Sequence, residues 1–85
     1  MTGSQRASPP DRRRQVDAAL TRLHGRQEHA AELSALHEEA ATVFAETAAE
    51  RRFHLTHAWV YALVTGDDAR IDVLEAELRR AGGLP

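Results

Sequence analysis

Val16, Ala19, Leu20 and Leu23 recur at the i, i+3, i+4, i+7 interval that marks one face of a helix. Just upstream, "SPPD" at residues 8–11 offers Ser8 as a cap, two prolines suited to a first turn, and Asp11 where a capping-box carboxylate belongs. The pattern predicts a helix over about 10–24. Residues 1–9 are small and polar without periodicity and read as a disordered tail. Gly25, preceded by His24, is the next residue able to end a helix. Between Arg26 and Thr65 there is neither glycine nor proline, which predicts one long helix over about 27–65, roughly 57 Å at 1.5 Å per residue. "TGDD" at 65–68 then supplies Gly66 as a stop and Asp67 or Asp68 as the next N-cap. A last helix over about 68–81 carries Ile71, Leu74 and Leu78 on its inner stripe. Alternating β-branched runs and hairpin dipeptides are missing, so the chain reads as all-α, a single domain over 10–85.

Bulk is unevenly spread along these elements. The large apolar residues between Met1 and Val43 are only Val16, Leu20, Leu23, Leu33 and Leu36, whereas the segment from Val43 onward holds two phenylalanines, Trp59, Tyr61 and most of the branched aliphatics. The C-terminal half is therefore the expected nucleus, with the N-terminal helix the part that is mobile or orders on a partner. In "HAWVYALV", residues 57–64, apolar groups lie on nearly every side of the helix, a distribution typical of buried helices. The last helix covers one side of it. The expected fold is a small helical hairpin or three-helix unit with one long central helix, which completes a helical bundle by oligomerisation.

Composition sharpens this. Leu, Ile, Val and Phe make up 17 of 85 residues, and alanine fills much of the remaining apolar fraction. Alanine favours helix but buries little area, so helix forms readily and core poorly, and small scaffolds of this kind often oligomerise. Cysteine is absent, which excludes disulfides, thiolate metal sites and cysteine nucleophiles. Every basic side chain other than histidine is arginine, a bias that points to a GC-rich, bacterial coding sequence rather than to structure. A net charge of −2 gives no global attraction to nucleic acid or anionic membrane. No run approaches the ~20 apolar residues of a membrane span, so a cytoplasmic protein is the expectation.

Candidate chemistry concentrates in "ETAAERRFHLTH", residues 46–57, where Glu46, Glu50, His54 and His57 are spaced four, four and three apart. Carboxylates and imidazoles at such intervals build metal sites in helical bundles. On an unbroken helix, however, Glu46 and Glu50 continue an acidic stripe that begins at Glu28, and this stripe lies opposite the apolar face carrying His37, Phe44, Leu55 and Trp59. Solvent exposure is the simpler reading of the two glutamates. His57 stands at the entrance to the apolar segment and reads as an interface residue whose burial makes assembly pH-sensitive. His37 reads as a core or interface histidine, while His24 and His29 flank the Gly25 turn. "DRRRQ" at 11–15 places Arg12, Arg13 and Arg14 where they can touch phosphates, but without interleaved aromatics. A recognition helix formed by the last element fails on charge, since it carries Asp68, Asp72, Glu75 and Glu77. There is no phosphate-binding glycine loop and no nucleophile with a recognisable base, so the balance is against catalysis.

The expected function is a non-catalytic protein–protein interaction module, an adaptor, regulator or accessory subunit, acting as a homo-oligomer or with another protein. Its contacts are assigned to Phe44, Phe53, Leu55, His57, Trp59, Val60, Leu63 and Val64. No cofactor is expected. A metal-binding bundle through Glu46, Glu50, His54 and His57 is the alternative. A small DNA-associated regulator that contacts phosphates through Arg12, Arg13 and Arg14 is the second alternative.

Overall fold

Ser8 caps the first helix as its position suggests. Its Oγ accepts the backbone N–H of Asp11 at 3.3 Å and donates to the Asp11 carboxylate at 2.8 Å. In the computed structural model, which describes residues 8–85, four helices follow: α1 (Pro9–Leu23), α2 (Ala30–Glu39), α3 (Ala48–Thr65) and α4 (Asp68–Arg80). Most of the expected N-terminal tail lies outside the described residues. Its last two positions, Ser8 and Pro9, belong to the cap and first turn of α1. Gly25 does end α1, with φ +73 in the left-handed region that a side chain would disfavour, and a 3₁₀ turn at Gln27–His29 leads into α2. No strand occurs among the described residues.

The single long helix expected over 27–65 is broken in two. After α2 the backbone widens into a π-helical turn at Ala40–Phe44, closed by the Ala45 N–H donating to Ala40 O at 2.8 Å. Ala45 is then extended (ψ 132), and Thr47 (φ −132, ψ 159) caps α3 by accepting the Glu50 N–H at 3.0 Å. The physical reason is local. Thr47-Ala-Ala-Glu50 has the T-x-x-E spacing of a capping box, which offers the backbone an alternative to continuing the helix. A Thr47→Ala variant should lose about 1 kcal/mol of stability, read as a lower midpoint in urea unfolding with an unchanged slope.

The break lets α3 fold back on α2, and Gly66 (φ +74) lets α4 fold back on α3. Cross-helix partners show the directions. Ser34 and His37 of α2 meet Ala58 and His54 of α3, and Trp59 and Arg51 of α3 meet Glu75 and Glu77 of α4. Arg12 of α1 grips Glu39 at the end of α2 through two hydrogen bonds, Nε to Oε2 at 2.7 Å and Nη2 to Oε1 at 2.6 Å. That bond holds the Glu39 carboxyl below its usual range. Neighbours in sequence are thus antiparallel neighbours in space, as short connections require.

Two apolar cores result. Val16, Ala19, Leu23, Leu33, Leu36 and Ala40 fill the space between α1 and α2. Ala41, Leu55, Ala58, Ala62, Leu74 and Leu78 fill the space among the π turn, α3 and α4. The expectation of one C-terminal nucleus is therefore corrected: Val16 and Leu33 are as fully buried as Leu55 and Leu78. Ala58 and Ala62 have no exposed surface. Beside them the buried Ser34 hydroxyl donates to Ala58 O at 2.8 Å and accepts from Arg70 Nη2 at 2.8 Å, while Arg70 also pairs with Glu38 at 2.9 Å. This chain of polar contacts ties α2, α3 and α4 together without leaving the serine unsatisfied.

Candidate functional site

α3 is the element with an unfinished surface. Phe53, Val60, Leu63 and Val64 remain 55, 44, 46 and 48% exposed. At 100° per residue they lie with Ala49, Thr56 and His57 within about 60° either side of Val60. The three charged residues of α3, Glu50, Arg51 and Arg52, fall outside that arc. One side of the helix is thus apolar, solvent-facing and uncharged in a chain that is 28% charged. Toward its C-terminal end, this face opens into a groove of about 300 Å³ lined by Gly25, Gln27, Thr56, His57, Val60, Tyr61 and Val64.

The other expected contact residues are placed differently. Leu55 is fully buried in the α3–α4 core and cannot be a contact residue on the surface. Trp59 is half-buried against the same core, and its indole Nε1 donates to Glu75 Oε2 at 3.1 Å. Phe44, in the π turn, packs against the α1–α2 core. Leu55 is covered because α4 folds back over a flank of α3 that a single straight helix leaves open.

Behind the exposed face sits a cluster of histidines. His37 Nδ1 and His54 Nδ1 are 3.0 Å apart, so one ring donates to the other. The His57 ring stacks on His37 with centroids 4.9 Å apart, and the Tyr61 ring lies against His37 at 5.9 Å. His57 Nδ1–H donates to Phe53 O at 2.9 Å, and the Phe53 ring contacts the His57 ring at 4.3 Å. His24, at the end of α1, shares a cleft of about 350 Å³ with Leu20, Thr21, His37, Phe53 and His54. Four of the five histidines in the sequence thus converge on one place. Sequence periodicity sets His37 opposite His54 and His57, and the break at Ala45–Thr47 is what brings them together.

Electrostatics follow from that crowding. Burial, then the neighbouring His57, His54 and His24 rings, push His37 down to about 4 from an ordinary value of 6.5. His54 is also lowered, first by burial and then by His57, against the opposing pull of Glu50 and Asp17. Both rings are held neutral near pH 7.

The proposed ligand set does not assemble. Glu46 lies on the loop before α3 and faces Arg13 at 3.6 Å. Among the described residues, no three His, Asp or Glu side chains are grouped to hold a metal ion. The arginine cluster is also engaged: Arg12 by Glu39, Arg13 by Glu46 and Arg14 by Asp11. No helix among the described residues is long and apolar enough to cross a membrane. Compared with protein-family models, curated proteins and solved structures, the chain matches none.

Proposed function

We propose that this chain is a non-catalytic helical protein–protein interaction module, an adaptor, regulator or accessory subunit, that works through the open face of α3. The observation that carries the reading is the uncharged exposed stripe of Phe53, Val60, Leu63 and Val64. Apolar side chains concentrated on one side, with charges confined to the flanks, are the pattern of a docking face rather than of solvated surface. Helix-in-groove and helix-on-helix recognition both use anchors at these intervals. Phe53 stands out most from the face, and buried aromatic anchors carry a large share of binding energy in such contacts.

The alternatives have weaker support. Among the described residues no three His, Asp or Glu side chains are grouped to hold a metal ion, and phosphate contacts through Arg12, Arg13 and Arg14 require breaking three acidic pairs.

Sedimentation equilibrium tests the reading. The wild-type chain is expected to self-associate in the micromolar range. A Val60→Glu/Val64→Glu variant, with both charges on exposed positions, should keep its helical circular dichroism and associate at least tenfold more weakly, since pairing would desolvate four carboxylates. A wild-type chain monomeric at several hundred micromolar, or a variant that associates equally well, would overturn it.

A further inference from the structure

We infer that the occupant of this face is a second copy of the chain, docked antiparallel about a twofold axis beside His57, with Phe53 of each copy seated in the Thr56–Val64 groove of the other. The inference rests on the reading of α3 as a docking face and adds the partner, its direction and its register.

Shape gives the register. Phe53 projects from the same arc of α3 that holds the groove, but about seven residues, or roughly 10 Å, away along the helix. It cannot fill the groove of its own chain. A second copy running the opposite way brings the two into coincidence when position 53 of one lies beside positions 60 and 61 of the other. That register sets position 57 against itself, at the axis. Parallel pairing instead stacks Phe53 on Phe53 and leaves both grooves empty.

Charge gives the direction. Between Phe53 and Val64 the face carries no Asp, Glu or Arg, so two copies meet without burying an ion. At the ends, Arg52 stands beside Glu50 in the first turns of α3, Arg51 lying on the opposite side of the helix and taken by Glu77, and Glu46 by Arg13. Asp67 and Asp68 follow its last turn. Parallel pairing sets these aspartates against their own copies, whereas antiparallel pairing sets them beside Arg52 and Glu50, which together carry no net charge. The four side chains are only about half exposed, so the interface is at the small, transient end of the range and its affinity micromolar.

The absence of cysteine makes the register directly readable, because each single-cysteine variant carries one reporter thiol. A disulfide needs Cα atoms about 4.4–6.8 Å apart. Antiparallel copies of position 57 satisfy this across the axis, while copies of position 53 are about 12 Å apart along the helices and copies of position 64 about 21 Å. At several hundred micromolar protein under mild oxidant, His57→Cys is expected to form dimers at least tenfold faster than Phe53→Cys, Val64→Cys or a control at exposed Ala18. Phe53→Cys mixed with Val60→Cys should give the heterodimer faster than either homodimer. By sedimentation, Phe53→Ala should weaken association at least tenfold with the helical signal intact. Equal rates at 53, 57 and 64, or at 57 and 18, or an undiminished Phe53→Ala dimer, would overturn the inference. Should the wild type associate and the Val60→Glu/Val64→Glu variant dissociate while the cross-linking pattern fails, only the register and direction fall. A wild type that stays monomeric removes the docking face as well.

Discussion

Replacing Leu55 with alanine is expected to remove about 3–5 kcal/mol of folding stability. The side chain has no exposed surface and lies in the core formed by Ala58, Ala62, Leu74, Leu78 and Ala41. Its neighbours are largely alanines, which have no longer side chain to move into the space, so the cavity stays open and the cost falls toward the upper end. A domain of this size holds only roughly 4–13 kcal/mol in total. Leu63→Ala is the informative comparison, because Leu63 is 46% exposed on the same helix and its truncation should cost about 1 kcal/mol or less. Urea unfolding followed by circular dichroism separates the two. A Leu55→Ala chain with an unchanged urea midpoint and merely weaker association would show that position 55 acts at a surface, contrary to its place in the structure.

Leu55 also shows where sequence periodicity stops being informative. The α1 boundaries were legible because Ser8, the two prolines and Gly25 each act within a turn of their own position. Gly66 and Asp67 marked the α3–α4 connection in the same way. Absence of glycine and proline from 26–65 proved a poor guide, because a helix can also be ended by side chains that cap a new one. Thr47 and Glu50 carried that signal at capping-box spacing, inside a stretch that draws attention to its glutamates as ligands. Once the break is misplaced, every angular relation across it is wrong. His37 is assigned to the face opposite His54, and Leu55 and Trp59 are left uncovered. The exposed positions Phe53, Val60, Leu63 and Val64 were legible nonetheless, since they share one unbroken helix and the density of apolar residues there exceeds what α4 can cover. What no local pattern encodes is the convergence of His24, His37, His54 and His57, which comes from three helices and depends on how they fold back.

That convergence sets the second large effect, a loss of stability in mild acid. His37 is 7% exposed and its folded value is about 4, against an ordinary 6.5 in the unfolded chain. The unfolded state therefore binds the proton first. The contribution is fully present above about pH 6.5 and is lost as pH falls from there toward about 4. For His37 alone the loss should reach about 1–2 kcal/mol by pH 5, with His54 adding in the same direction. The contact geometry explains why the rings resist a second proton. A neutral pair satisfies the 3.0 Å Nδ1–Nδ1 contact with one donor and one acceptor, whereas two imidazoliums present two donors to each other. Glu39 responds in the same direction but lower down. Arg12 depresses its carboxyl, so its contribution is held above the ordinary carboxylate value of 4.5 and lost only as pH drops below it. The histidine window is thus readable before the carboxylates protonate. His37→Gln is the matched control, because an amide can still donate to His54 Nδ1 but does not titrate. Urea midpoints measured from pH 7.5 to 5 should fall in the wild type and fall distinctly less in His37→Gln. Equal slopes in the two proteins would show that the cluster does not carry the acid sensitivity.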